Sequence, residues 1–356
     1  MTQPPASRPT ATGAIPGGTH ASTRADAGAD ARADTPGGGS RRPTGDLAGT
    51  GEFGLIAAVT ALLPQHAGVL VGPGDDAAVV AAPDSRVVVT TDLLVEGRHF
   101  RRDWSQPYDV GRKAAAQNLA DVAAMGAAPV ALLVGLGAPP DLPVEWAVAL
   151  AEGLRDEAGP AGASVVGGDT VRADQVVIAV TALGDLQGRA PVLRSGARPG
   201  DLVAVCGRLG WAAAGLAVLS RGFRSPRVLV EAHRRPDVDY AAGVEAAELG
   251  ATAMVDVSDG LLADLGHVAR ASGVAVDVDP GSLEVPVPLR DVSGALGADP
   301  LRWLLTGGDD HALAACFPAG TGLPARWRVV GRVAEGDGIT VAGEEYEGGA
   351  GHDHFR

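Results

Sequence analysis

VVVTTDLLVEGRHF (87–100), followed by KAAAQNLADVAAMG (113–126), decides the fold. The first stretch opens with β-branched residues and reads as a strand over 87–94 that ends at Asp92 in a turn. The second sits in a helix over 107–126, with Gly126 at its end and Pro129 beyond. A strand that delivers Thr and Asp, then a helix that delivers Asn118 and Asp121, is the pattern of a mixed sheet-and-helix protein. The same alternation continues on both sides. Residues 51–63 read as a short amphipathic helix. Strands are predicted at 130–137, 163–166 and 175–183, and a helix at 144–158. A turn-rich stretch, GRAPVLRSGARPGD (188–201), then reads as a domain junction. Beyond it, strands are expected at 202–206, 252–257, 274–278, 312–316 and 327–333. Helices are expected at 210–220, 239–249, 260–271 and 297–305. The fold class is α/β (α+β), in two successive units at 48–187 and 188–356.

Residues 1–47 stand apart. They are rich in Pro, Gly, Ala, Ser, Thr and Asp, and read as a disordered tail with too little apolar surface to offset ordering entropy. No apolar core of a secretory signal occurs there.

The chain has 356 residues and a formal net charge of −14, which argues against a nucleic-acid partner needing a basic surface. No run of about 18 apolar residues predicts a membrane span. Two distant cysteines, Cys206 and Cys316, exclude a disulfide scaffold, a redox pair and a thiolate zinc site, and suit a cytoplasmic location. Lys113 is the only lysine; every other basic side chain is arginine. Arg112 and Ala114 flank it wrongly for a P-loop, and it reads as a solvated or ion-paired helix residue.

Six acidic clusters share one layout: GPGDDAAVV (72–80), TTD (90–92), NLADVAAMG (118–126), GGDT (167–170), VDVSDG (255–260) and TGGDDH (306–311). Alone, each reads as a cap or an Asx turn. Together they repel one another and would repel a phosphate more. A hard divalent cation with oxygen ligands is the remedy, and Mg2+ uses one or two carboxylates with waters and substrate phosphates. The set therefore points to metal-held polyphosphate. GPGDDA matches the dinucleotide fingerprint only weakly, because Asp75 and Asp76 would face a pyrophosphate.

In this order the motifs resemble the thiamine-monophosphate kinase family, from GEFGLI at 51 to GHDHF at 351–355. The resemblance implies a fold shared with aminoimidazole-ribonucleotide synthetase and ATP-dependent phosphorylation of thiamine monophosphate by direct, Mg-assisted transfer. It implies that Asp76, Thr90, Thr91, Asp92, Asp121, Asp169, Asp256 and Asp259 ligate or adjoin Mg2+, with Asp76, Asp92, Asp121 and Asp256 central to catalysis. Gly168, Asp169, Arg194 and Ser258 would contact ATP. His99, Asp309 and His352 would contact the thiamine ester, and a homodimer is expected. GGDDHAL (307–313) departs from the usual GGEDYEL: Asp309 is one methylene shorter than Glu, and His311 replaces Tyr. His352 stands where Tyr is common. Other ATP-dependent enzymes of this fold, of amidine cyclase or selenophosphate synthase type, are the competing expectation. The latter expects a reactive Cys near its N-terminal glycine-rich loop, and none precedes Cys206. A non-catalytic Mg-nucleotide binder is a third.

Overall fold

Alternation makes 88–95 a strand: Thr90, Asp92 and Leu94 take one side of it, and Val89, Thr91 and Leu93 the more exposed other. In the computed structural model, residues 45–73, 77–349 and 351 are described, apart from the Phe53 side chain. They fall in one compact unit, Arg42–Arg356. The expected tail lies outside the described residues save for its last three positions. In chain order the elements are α1 (Leu47–Thr60), β1 (Val69–Val71), β2 (Val79–Val80), β3 (Val88–Val95), α2 (Pro107–Ala124), β4 (Ala128–Ala138), α3 (Val144–Ala158), β5 (Ser164–Arg172), β6 (Val177–Asp185), β7 (Leu202–Cys206), α4 (Trp211–Ser220), α5 (Arg227–Arg234), α6 (Ala241–Glu248), β8 (Ala253–Val257), α7 (Leu261–Ser272), β9 (Ala275–Val278), α8 (Val287–Leu296), α9 (Pro300–Thr306), β10 (Ala312–Phe317), β11 (Trp327–Ala334), β12 (Gly338–Val341) and β13 (Glu344–Glu345).

The strands form a short β1–β2 pair, a four-stranded sheet in the order β3-β6-β4-β5, and a seven-stranded sheet in the order β13-β12-β9-β11-β7-β10-β8. The two larger sheets divide at the turn-rich stretch before β7. In the first, β4 and β5 are parallel and joined through α3, while β6 runs antiparallel to both neighbours it touches. One face of this sheet is covered: Ile178, Val180 and Ala182 of β6 are buried with Leu119 and Val122 of α2. The second sheet has its own core, in which Val203, Val205, Val255 and Val257 pack with Leu261, Leu262 and Leu265 of α7.

α2 is the pivot. A capping box between Gln106 and Asp109 opens it, with Pro107 in the first turn. Gly126, at φ 71°, follows its end in the left-handed conformation. Its run of alanines leaves little side-chain bulk, so neighbours approach on nearly all sides. Ala123 and Ala124 pack into a third cluster with Ala242, Ala246, Met254, Leu313 and Phe317 from the second half. The helix thus carries its polar residues, Lys113, Asn118 and Asp121, between the two sheets.

Candidate active site

β3 and α2 are laced together at their polar residues. The Thr90 hydroxyl donates to Asp121 Oδ2 at 2.7 Å, and the Asp92 amide donates to Asn118 Oδ1 at 3.0 Å. Asn118 is fully buried and donates through Nδ2 to the Ala114 carbonyl, which fixes the side chain that receives Asp92. Asp256, on the buried edge strand β8, is brought to the same place. Burial pushes the Asp121 carboxyl up to about 7, Asp256 and then Asp92 add to the push, and the Thr90 hydrogen bond opposes it. Asp92, Asp121 and Asp256 therefore share one field, delivered from a strand, a helix and a second sheet.

The 307–311 loop closes this cluster from the other side. Gly308 lies so close to the VDVSDG turn that a Cβ there would sit 2.3 Å from the Ser258 carbonyl oxygen. The Asp309 amide donates to that oxygen at 2.8 Å, and the His311 amide donates to the Val257 carbonyl at 3.0 Å. Asp309 and His311 both take positive φ, 66° and 54°. His311 Nδ1 lies 3.0 Å from Asp256 Oδ2, and both side chains are buried. Its Nε2 has no partner among the described residues. His311, where the resemblance leads one to expect Tyr, is thus joined to a carboxylate of the cluster. Asp310 is structural: its Oδ1 accepts from the Ala212 amide in the first turn of α4.

Of the two expectations for Lys113, solvated or ion-paired, the structure shows the second. The lysine is 3% exposed, and its Nζ donates to Asp309 Oδ2 at 2.7 Å and to the His233 carbonyl at 3.4 Å. Burial opposes ionisation of Asp309, but Lys113, with His233 and His311, outweighs it and holds the carboxyl well below the usual range. The pairing spans 196 residues, beyond the reach of local spacing.

At the start of α7, Gly260 rather than Ser258 or Asp259 is the N-cap. The Asp259 and Gly260 amides donate to buried Asp264, each at 3.0 Å. Burial, then the charge of Asp256, pushes Asp264 up to about 7. Sequence reading passed over this residue; its i+4 position from the glycine that opens the helix was the available signal. Ser258 and Asp259 remain half-buried beside it. A Cβ at Gly351 would lie 2.5 Å from the Asp259 carbonyl oxygen, so the chain returns to this turn. Arg194 is exposed, and its carbonyl accepts from Ser272 at the far end of α7.

The pleat separates the remaining candidates. In the sheet register, Asp169 on β5 aligns through Gly135 and Ala179 with Leu93 on β3. Three strand spacings put these two edges about 14 Å apart. Thr91 and Asp169 thus occupy the open face, while Thr90 and Asp92 face α2. Packing already requires glycine at 168, since a Cβ would meet the Val134 carbonyl oxygen at 1.8 Å. His99 is half-buried, and its Nδ1 accepts from the Val95 amide at 2.9 Å, which leaves the ring proton on Nε2. Asp76 and His352 lie outside the described residues.

Among the described residues, no three of His, Cys, Asp and Glu come together tightly enough to enclose a metal ion unaided. The donors that do converge are oxygens, and burial, with repulsion from Asp256 and Asp92 added to it, pushes Asp121 up to about 7. That donor chemistry fits a hard cation sharing its ligands with water and phosphate.

Two family models match the chain: AIR synthase related protein, N-terminal domain, over residues 74–186, and AIR synthase related protein, C-terminal domain, over residues 198–344. The thiamine-monophosphate kinase of Mycobacterium tuberculosis is 52% identical over 307 residues, covering 86% of this chain and 92% of its own. A crystal structure of the enzyme of that name from Stenotrophomonas maltophilia K279a aligns at TM-score 0.72 and 34% identity, over 82% of this chain and 95% of the other. A structure described as AaThiL complexed with AMPPCP and TMP aligns at TM-score 0.70 and 33% identity, over 86% and 98%. With both halves matched and relatives aligned nearly end to end, the chain belongs to the thiamine-monophosphate kinase family.

Proposed function

We propose that this protein transfers the γ-phosphoryl group of ATP to the phosphate of thiamine monophosphate, giving thiamine diphosphate and ADP. Membership of the family carries the reaction, and the convergence of Asp92, Asp121 and Asp256 is the observation that supports the chemistry. The acceptor is a phosphate oxygen, already ionised near neutral pH, so no strong general base is needed. Nor does the transfer need a nucleophile from the protein, and the two cysteines are buried with thiols pushed up to about 11 and about 12 by burial. What remains is positioning and charge neutralisation.

Asp92, Asp121 and Asp256, with the Thr90 hydroxyl, would hold Mg2+, which when bound supplies positive charge to the transferring group. Asp76 and Asp259 belong to the same proposal by motif. Gly168, Asp169, Arg194 and Ser258 are assigned to ATP, and His99, Asp309 and His352 to the thiamine ester. His99, whose ring is oriented by the hydrogen bond its Nδ1 accepts from the Val95 amide, would lie against the acceptor phosphate. The domains are taken as 48–187 and 188–356.

A homodimer is part of the proposal. The open face of the four-stranded sheet carries Val89, Leu93, Leu133 and Val171, at 60%, 52%, 37% and 55% exposure. Such a grouping on one sheet face is what a partner covers. Thr91 and Asp169 share this face, so dimerisation would enclose them.

The test is incubation with ATP, Mg2+ and thiamine monophosphate, then chromatographic separation of the thiamine esters. Thiamine diphosphate should accumulate one for one with ADP, and unphosphorylated thiamine should give none. ADP without thiamine diphosphate contradicts the reading.

A further inference from the structure

A chain that uses arginine everywhere else keeps one lysine, and that lysine is buried. Arginine offers a planar fork and lysine a compact point charge, so the exception marks a place where the fork does not fit. Lys113 sits within α2, where its ammonium joins three segments: its own helix, the last turns of α5 through the His233 carbonyl, and the 307–311 loop through Asp309. Nothing else in the described structure donates a side-chain hydrogen bond to the Asp309 carboxylate. The loop backbone at Asp309 is in the left-handed region, φ 66°, and its amide is tied to Ser258. Side chain and main chain of Asp309 are therefore both fixed, the first from one half of the protein and the second from the other. The Asp309 side chain is still 43% exposed, so a carboxylate gripped at one oxygen by Lys113 remains reachable by a ligand.

Neighbouring groups agree with a fixed ammonium. His233, whose carbonyl it touches, is itself buried, with its ring pushed down to about 3 by burial and then by the charge of Lys113. His311, two residues further along the same loop, is bound to Asp256. Lys113 thus ties the loop that faces the carboxylate cluster to α2.

We propose that Lys113 is a positioning residue for the acceptor: it holds the Asp309 carboxylate where it complements the cationic thiazolium ring, and thereby sets acceptor affinity. The inference rests on the assignment of Asp309 to the thiamine ester. A methylene shorter than Glu, Asp309 cannot reach as far by itself, and Lys113 compensates by fixing its direction. ATP is held by other residues, so the effect is confined to one substrate.

The test uses the full chain as wild type, K113M, K113R, D309N and K113M/D309N, each first shown to be folded by its thermal unfolding transition. Thiamine monophosphate binding is measured by calorimetry, and KM for both substrates by turnover. K113M and D309N should each weaken acceptor binding and raise its KM by roughly 10- to 100-fold, the loss of a charge-assisted hydrogen bond, while KM for ATP stays within about twofold. The double variant should be no worse than the poorer single variant, because the two residues act as one unit. K113R should not restore affinity. K113M with wild-type acceptor affinity, an equal rise in both KM values, or losses that multiply in the double variant would each overturn the proposal.

A readout independent of catalysis separates its failure from that of the functional reading. Since Lys113 is the only lysine, mass spectrometry follows its acetylation without ambiguity. D309N should speed acetylation several-fold by releasing the ammonium; an unchanged rate removes the clamp. If the clamp is present but wild type converts no thiamine monophosphate, the functional reading has failed instead.

Discussion

Asp121→Asn separates a carboxylate kept for a cation from one kept for the fold. With its carboxyl pushed up to about 7, Asp121 binds a proton more readily in the folded protein than in the unfolded chain, where aspartate titrates near 3.9. Without a cation, the contribution of Asp121 to stability is therefore full below about pH 4 and is lost as pH rises through about 7. Moving a carboxyl from 3.8 to about 7 costs about 4 kcal/mol at most once it ionises. Part of that is shared with Asp256, and asparagine weakens the hydrogen bond from Thr90, worth about 1 kcal/mol. In EDTA at pH 8, D121N should then be more stable than wild type by about 2 kcal/mol, or about 4 °C for a unit of this size. At pH 4.5 the two should nearly coincide. Millimolar Mg2+ should raise the wild-type transition at pH 8 and leave D121N unmoved, narrowing or reversing the order. Differential scanning fluorimetry over a pH series, with and without Mg2+, reads all of this. A D121N protein less stable than wild type in EDTA, by the same amount at both pH values, would show that Asp121 serves the fold and not a cation.

Other outcomes follow from the same structure. His311→Phe deprives buried Asp256 of its partner and should lower the urea midpoint by an amount equivalent to about 2–4 kcal/mol; an unchanged midpoint would mean that Asp256 is satisfied elsewhere. Leu93→Asp places a charge in the centre of the open sheet face and should convert a dimer to a monomer in analytical ultracentrifugation; a monomeric wild type, or an unaffected dimer, removes that face as the interface. Cys206 and Cys316 should resist a thiol reagent at pH 8 until the protein unfolds, when both react; rapid titration of the native protein would contradict their burial.

Much of the fold was legible where pattern and punctuation agree. The helix at 144–158 and the strand at 202–206 have the ends the sequence predicts, bounded by Pro143 and by the GRLG turn. The expected strand at 163–166 runs on to Arg172, because Gly168 is there to clear a neighbouring strand and not to turn the chain. α5 and α8 were missed: each is short and preceded by proline, and with only two or three buried apolar side chains each, their stripes span too few turns to stand out. Strands β12 and β13 lie at the sheet edge without burial alternation and left no signal.

The site divides in the same way. Asp92 and Asp121 could be read from their motifs, since each sits beside a residue that binds the other's element. That Thr91 and Asp169 fall on the opposite face follows from strand register, which no single motif carries. The Lys113–Asp309 and His311–Asp256 contacts join positions 196 and 55 residues apart. For Lys113 alone the composition held a clue, one lysine among arginines, that charge counting overlooks.

Counting bound divalent ions tests the convergence of carboxylates most directly. Mn2+ can stand in for Mg2+, and its free fraction is read by electron paramagnetic resonance at pH 8 with a non-hydrolysable ATP analogue. Wild type should bind Mn2+ with nucleotide at a stoichiometry that falls by at least one ion in D121N and in D256N, each still folded. Equal numbers of ions, held with equal affinity by all three proteins, would mean that Asp121 and Asp256 do not grasp the metal.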